Sequence, residues 1–201
     1  MKLYLNKTSP YARLVMVMLH EKALIDRVEQ VWTDPWSSPA ELVAVNPLAK
    51  VPVLVTDDGQ PIVESGCICD YLEQFGAGRK LLPLDTPSRV AALRKCGLGR
   101  GLIDVAFGVT IDRRFFPQGH KSVLAERWLR AAAMSISEIE RDVTLTREAA
   151  LPDLGDLAIA VGLSYVAFRL PELQWRESAP KVTKWLDMIS LRPSMQSTMP
   201  E

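Results

Sequence analysis

The chain has 201 residues, 24 Lys and Arg against 24 Asp and Glu, 48% hydrophobic residues and a sequence pI near 6.7. That make-up is a folded globular protein's and excludes a disordered or collagen-like chain. Zero formal charge removes the long-range field that would draw the molecule onto nucleic acid or an anionic membrane, so neither is expected as a partner.

In chain order, Lys2 to Asn6 alternates with Leu3 and Leu5 on one face and predicts a short strand. No apolar signal core follows the first lysine, so export is not expected and the expected location is the cytoplasm. Ser9-Pro10 supplies a cap and a first-position proline for a helix on which Leu14, Val17, Met18 and Leu24 recur at helical spacing. Its apolar run, Leu14 to Leu19, stops at His20, far short of the roughly 20 residues that cross a bilayer. Arg27 to Val31 predicts a second strand, parallel to the first because a helix crosses between them.

Pro39 to Val45 predicts a helix closed by Asn46-Pro47. Val51 to Val55 reads as a buried strand, Asp57-Asp58-Gly59 as a hairpin turn and Pro61-Ile62-Val63 as the returning strand. Ser65 then caps a helix carrying Ile68, Tyr71, Leu72 and Phe75. The order βαβαββα is thioredoxin-like.

From Leu81 onward the period is helical and no strand is expected. Helices are predicted from Asp85-Thr86-Pro87 to Phe116, from Lys121 to about Arg147, after a capping box at Asp153 and Asp156, and, as the last, from Ser178 to Ser190. With the linker in 76–85, the expected division is a thioredoxin-like domain over 1–80 and an all-helical domain over 81–201.

Four features carry candidate chemistry, each beside a plain alternative. Ser9 is a helix cap, but a hydroxyl at a strand-to-helix junction also stands where backbone N–H groups and the helix dipole favour a thiolate. Val51-Pro52 is a strand start that tolerates proline; as a cis bond, cheap before proline, it would leave the Val51 N–H and C=O to pair with an extended peptide-like ligand. Glu64-Ser65 is another cap, or a carboxylate site beside a group that takes an ammonium. Lys50 is a solubilising surface lysine or the partner of a second carboxylate. Together they describe a ligand with an amino-acid head, a peptide middle, a thiol and a distal carboxylate, which is glutathione. His20 and His120 lack partners at ligand spacing, and no metal site is expected. Cys67, Cys69 and Cys96 are odd in number, with the first two closer than a redox or zinc pair, and read as reduced and mostly structural.

The motifs SPYARLVMVMLHEK, NPLAKVPVLV and ESGCICDYLEQ, with DPWSSPAEL, DLGDLAIA and the closing RPSMQSTMP, resemble a bacterial, serine-type glutathione S-transferase over the whole chain. The resemblance implies a homodimer in which Ser9 meets the thiol, Val51 with a cis Pro52 meets the cysteinyl peptide, Glu64 and Ser65 meet the γ-glutamyl end, and Lys50 faces the glycine carboxylate. Asp104 is the possible equivalent of an acidic residue that reaches across from a partner subunit, unless it pairs with Arg100 four residues before it. Tyr4 lies too early in its strand to replace Ser9, and Thr8 offers the same hydroxyl as Ser9.

A small hydrophobic electrophile is the expected second substrate, lined by Tyr11 and by Phe107, Ile111 and Phe115 at helical spacing. Arg113 and Arg114 either attract an anionic electrophile or are solvated. The implied activity is conjugation of glutathione. A glutathione-dependent thiol reductase or peroxidase would normally have a cysteine at the helix entrance. A non-catalytic binding module on the same fold is the third reading.

Overall fold

The computed structural model describes residues 1–76, 79–116, 122–142 and 151–200. The chain divides into two compact units, Met1–Leu81 with Pro193–Glu201, and Leu82–Arg192.

The first unit is built on a four-stranded sheet in the order β2-β1-β3-β4. Strands β1 (Lys2–Leu5) and β2 (Glu29–Trp32) pair in parallel, joined through helix α1 (Pro10–Glu21). A second helix, α2 (Ala40–Val45), leads to β3 (Val53–Val55), which runs antiparallel to β1 and to β4 (Pro61–Val63). Helix α3 (Ser65–Leu72) follows and packs against α1. The sheet, its order and the helices between the strands are those expected of a thioredoxin-like domain. Leu3, Leu5, Val53 and Leu54 of the sheet and Ala12 to Leu19 of α1 are buried, and each buried Leu, Val or Met contributes roughly 1.5–3 kcal/mol.

Several boundaries differ from expectation. Helix α1 ends at Glu21, because Ala23 takes a left-handed φ of 52°, Ala23 N–H bonds His20 O and Leu24 N–H turns back to Leu19 O at 2.8 Å. Leu24 is therefore buried beyond the helix. Strand β2 starts at Glu29, since Ile25–Arg27 forms a 3-10 turn and Glu29 N–H opens the ladder on Met1 O. Strand β3 starts at Val53, two residues after Val51. Glu64, not Ser65, is the cap residue of α3: its carboxylate accepts the Ser65 N–H at 3.0 Å. Phe75 lies past the helix end, its ring tilted at 52° to that of Tyr71 with centroids 4.9 Å apart.

The second unit is helical: α4 (Thr86–Phe115), α5 (Val123–Arg141), α6 (Leu154–Arg169), α7 (Trp175–Ser178) and α8 (Pro180–Ser190). No strand occurs there among the described residues. Lys121, His120 and the 143–147 end of the expected second helix lie outside the described residues. Helix α6 is buried nearly all round and forms the centre of the unit, against α4 and α8. Its start is the expected capping box, Asp153 accepting from Asp156 N–H at 2.9 Å and Asp156 accepting from Asp153 N–H at 2.8 Å. Lys95 of α4 reaches both carboxylates at 2.6 Å. Close approach of α4 and α6 needs glycine: a Cβ on Gly162 would lie 2.6 Å from Gly99 O.

The segment expected as the end of the helical domain, 193–200, belongs to the first unit. There α9 (Pro193–Gln196) packs on α1. Buried Arg13 donates to Met195 O at 3.2 Å, and Ser194 donates to Glu21 at 2.5 Å.

Candidate functional site

Antiparallel pairing brings three loops of the first unit to one end of the sheet. Tyr4 faces Val53 and Val53 faces Val63. Carried outward in that register, the end of β1, the approach to β3 and the β4–α3 junction all lie at the same edge. These are the loops that hold Ser9, Val51 and Ser65.

At the first loop, Ser9 is half-buried in extended conformation and caps α1, its Oγ accepting from Ala12 N–H at 3.2 Å. The first turn of α1 carries no acidic residue, so the positive end of the helix dipole is not neutralised by its own side chains. The cap uses the serine oxygen as an acceptor and leaves its proton to donate elsewhere. Thr8 differs: its hydroxyl donates to Asn6 Oδ1 at 2.9 Å, and its N–H donates to the same atom at 3.1 Å.

The second loop is held from inside by Asn46. This buried side chain donates to Lys50 O at 2.9 Å and accepts from Leu48 N–H at 3.1 Å. Ala49 stands at a left-handed φ of 50°. Lys50 is exposed, and its ammonium has no ion-pair partner among the described residues. The Val51–Pro52 bond is cis. Half-buried Val51 engages neither its N–H nor its C=O in a hydrogen bond among the described residues.

At the third loop, Glu64 has a φ of 74°, a conformation that costs a side-chain-bearing residue on the order of 1–3 kcal/mol and that often marks a functional position. Ser65 is fully buried, with its hydroxyl 3.5 Å from Glu64 Oε1. Its helix also lacks an acid in the first turn. The three loops together offer a hydroxyl at one helix N-terminus, a free peptide edge and a second helix N-terminus beside a carboxylate, which suits an extended anionic peptide.

The other expected residues are placed separately. Tyr11 is half-buried on α1. Asp104, exposed, and Phe107 and Ile111, half-buried, belong to α4 of the second unit, where Phe115 is largely exposed. Arg113 is ion-paired to Glu172 at 2.5 Å, and Arg114 lies over the Phe115 ring at 5.6 Å. His20 is half-buried with its Nε2 3.2 Å from Ser197 Oγ, and burial lowers its pKa. Among the described residues no three His, Cys, Asp or Glu side chains gather as a metal site, and no single helix is long and apolar enough to cross a membrane. All three cysteines are free thiols, and burial pushes that of Cys96 up to about 12.

Asn6 and Asn46 were not singled out by sequence reasoning. The legible signal for Asn6 is the run Asn6-Lys7-Thr8-Ser9 at a strand end, which is turn chemistry in which a side-chain oxygen accepts from a backbone N–H two residues on. Asn46-Pro47 reads only as a helix stop.

Residues 8–74 match the family model described as the glutathione S-transferase N-terminal domain. A solved glutathione transferase family member from Pseudomonas fluorescens Pf-5, with bound glutathione, is 32% identical; the match covers 100% of this chain and 98% of that one with a TM-score of 0.92. A glutathione S-transferase from Methylobacterium radiotolerans, in complex with glutathione sulfonate, is 31% identical over 99% of this chain and 94% of its own, with a TM-score of 0.87. An uncharacterised GST-like protein, YibF, of Escherichia coli (strain K12) is 28% identical over 100% of this chain and 98% of its own length.

Proposed function

This chain belongs to the glutathione S-transferase family, and from that premise we propose that it binds glutathione as the thiolate and conjugates it to a small hydrophobic electrophile. Ser9 donates its hydroxyl proton to the sulfur as a hydrogen bond, and the N-terminus of α1 adds its partial positive charge; both favour the anion over the thiol. Ser9 stabilises the nucleophile and does not itself attack. The Val51 N–H and C=O pair with the cysteinyl unit beside Pro52. Ser65 and the α3 N-terminus take the γ-glutamyl carboxylate, Glu64 takes its ammonium, and Lys50 takes the glycine carboxylate. Asp104 of a partner subunit adds to the ammonium site.

The observation that carries the proposal is the convergence of Ser9, the unengaged Val51 backbone and Ser65 at one end of the sheet. Support also comes from the solved relatives with bound glutathione and glutathione sulfonate. Phe107 and Ile111 of α4 meet the electrophile. Large exposed apolar side chains on the first half of α4, Val90 and Leu93, support a homodimer. Three free cysteines fit a reducing cytoplasm.

Calorimetric titration with glutathione, followed by a panel of aryl halides, epoxides, isothiocyanates and hydroperoxides, tests the assignment. Saturable binding with turnover of an electrophile is expected. Binding without turnover of any member would leave a non-catalytic glutathione-binding module. Turnover of hydroperoxides alone would move the protein to the reductase and peroxidase class, which the hydroxyls at Thr8 and Ser9 disfavour.

A further inference from the structure

Asn6 closes β1, and its side chain is used at both ends. Nδ2 donates to Thr33 O at 3.2 Å, just past the end of β2. Oδ1 accepts two bonds from Thr8, one from the N–H and one from the hydroxyl. The Asn6 carbonyl accepts from Ser9 N–H at 3.2 Å. One neutral amide thus ties the end of β2 to the turn that enters α1.

A threonine hydroxyl has a single proton, and here Thr8 gives it to Asn6. The Ser9 hydroxyl accepts from Ala12 and donates to no described residue. Two adjacent hydroxyls that are chemically equivalent in sequence are therefore sorted by one side chain. We infer that Asn6 is a positioning residue: by taking the Thr8 proton and anchoring the β1–α1 turn to Thr33, it makes Ser9, and not Thr8, the hydrogen-bond donor to the glutathione sulfur. The assignment rests on the glutathione reading above. An aspartate would accept the same two bonds but would place a negative charge beside the thiolate and raise its pKa. The amide accepts them without that penalty.

The test is a pH titration of the ultraviolet thiolate absorbance of glutathione bound to the full chain, in wild type, Thr8→Val, Ser9→Ala, Asn6→Ala and the double variant Asn6→Ala/Thr8→Val. The bound thiol pKa is expected to stay unchanged in Thr8→Val and to rise by about one unit, a tenfold loss of thiolate, in Ser9→Ala. With Asn6 removed the Thr8 proton is released, so the double variant is expected to differ from Asn6→Ala alone. Thr8 is exposed, so Thr8→Val carries the test even where Asn6→Ala fails to fold. A rise in Thr8→Val matching that in Ser9→Ala overturns the assignment, as does identity of the double variant with Asn6→Ala. A wild-type thiol pKa equal to that of free glutathione overturns the function itself and this assignment with it.

Discussion

Thr8 and Ser9 carry the same functional group one position apart, and only the hydrogen-bond partners separate them. Sequence alone leaves both open, because the fate of a hydroxyl proton depends on where a third side chain points. The same limit hides Asn46, whose amide is buried under the loop that presents Lys50 and Val51. Polar residues near turns read as solvated, and nothing in spacing tells a satisfied buried amide from an exposed one. The cysteines differ in burial, which the sequence reading did not distinguish. Cys67 is exposed, Cys69 is buried, and the Cys96 thiol is pushed up to about 12 by burial, aided by the nearby Asp153 charge. Because the thiolate is the reactive form, a native-state thiol titration is expected to label Cys67 rapidly and the other two only on unfolding. Rapid labelling of Cys96 would contradict its placement.

Helix ends show how far local sequence rules reach. The capping box of α6 and the Asp85 cap of α4 stand where the sequence puts them, accepting from Asp156 and Ser88 N–H groups, whereas α5 starts at Val123, later than the expected Lys121, with Ser122 accepting from Ala125 N–H. The end of α1 was not legible, since the left-handed position that normally signals itself as glycine is occupied by Ala23. Ala23 is exposed, so no packing opposes a change. Ala23→Gly is expected to raise unfolding free energy by about 0.5–1 kcal/mol, the relief of Cβ strain exceeding the added chain entropy of glycine. A lower denaturant midpoint in that variant would refute it.

Lys95 makes the α4–α6 contact depend on pH. Burial works against its charge, but the hydrogen bonds it donates to Asp153 and Asp156 raise its pKa overall. Its contribution is therefore complete below the ordinary lysine value and is lost as pH rises through the raised one. Burial raises Asp156, against the Lys95 hydrogen bond that lowers it. A raised acid favours folding where it is protonated, so near neutrality the ionised Asp156 relies on Lys95. Lys95→Met is expected to cost about 3 kcal/mol near neutral pH and less near pH 4, where protonation of Asp156, raised by burial, relieves its unpaired charge. Denaturant unfolding at the two pH values measures the difference, and an equal loss at both would contradict this account.

At the scale of the whole chain, hydrophobic periodicity placed the sheet-bearing and helical parts, because each uses its own repeat over long stretches. It missed the return of 193–200 to the first unit. That segment is short and polar, and it is held by Arg13, whose burial brings its pKa down to about 10. An arginine on a helix reads as a solvated charge, so a buried guanidinium bonded to Met195 O has no sequence signature. The places of Ser9, Val51-Pro52 and Ser65 were legible because each sits at an element junction with characteristic residue types. The supporting amides and the left-handed Glu64 were not.

The central claim is that glutathione lies along one end of this sheet with its sulfur at Ser9. A crystal structure of the protein with glutathione tests it most directly. The account predicts the sulfur within hydrogen-bond distance of Ser9 Oγ, the cysteinyl amide paired with the Val51 backbone and the γ-glutamyl carboxylate at Ser65. A tripeptide bound with its sulfur away from Ser9, or bound elsewhere on the chain, would contradict it.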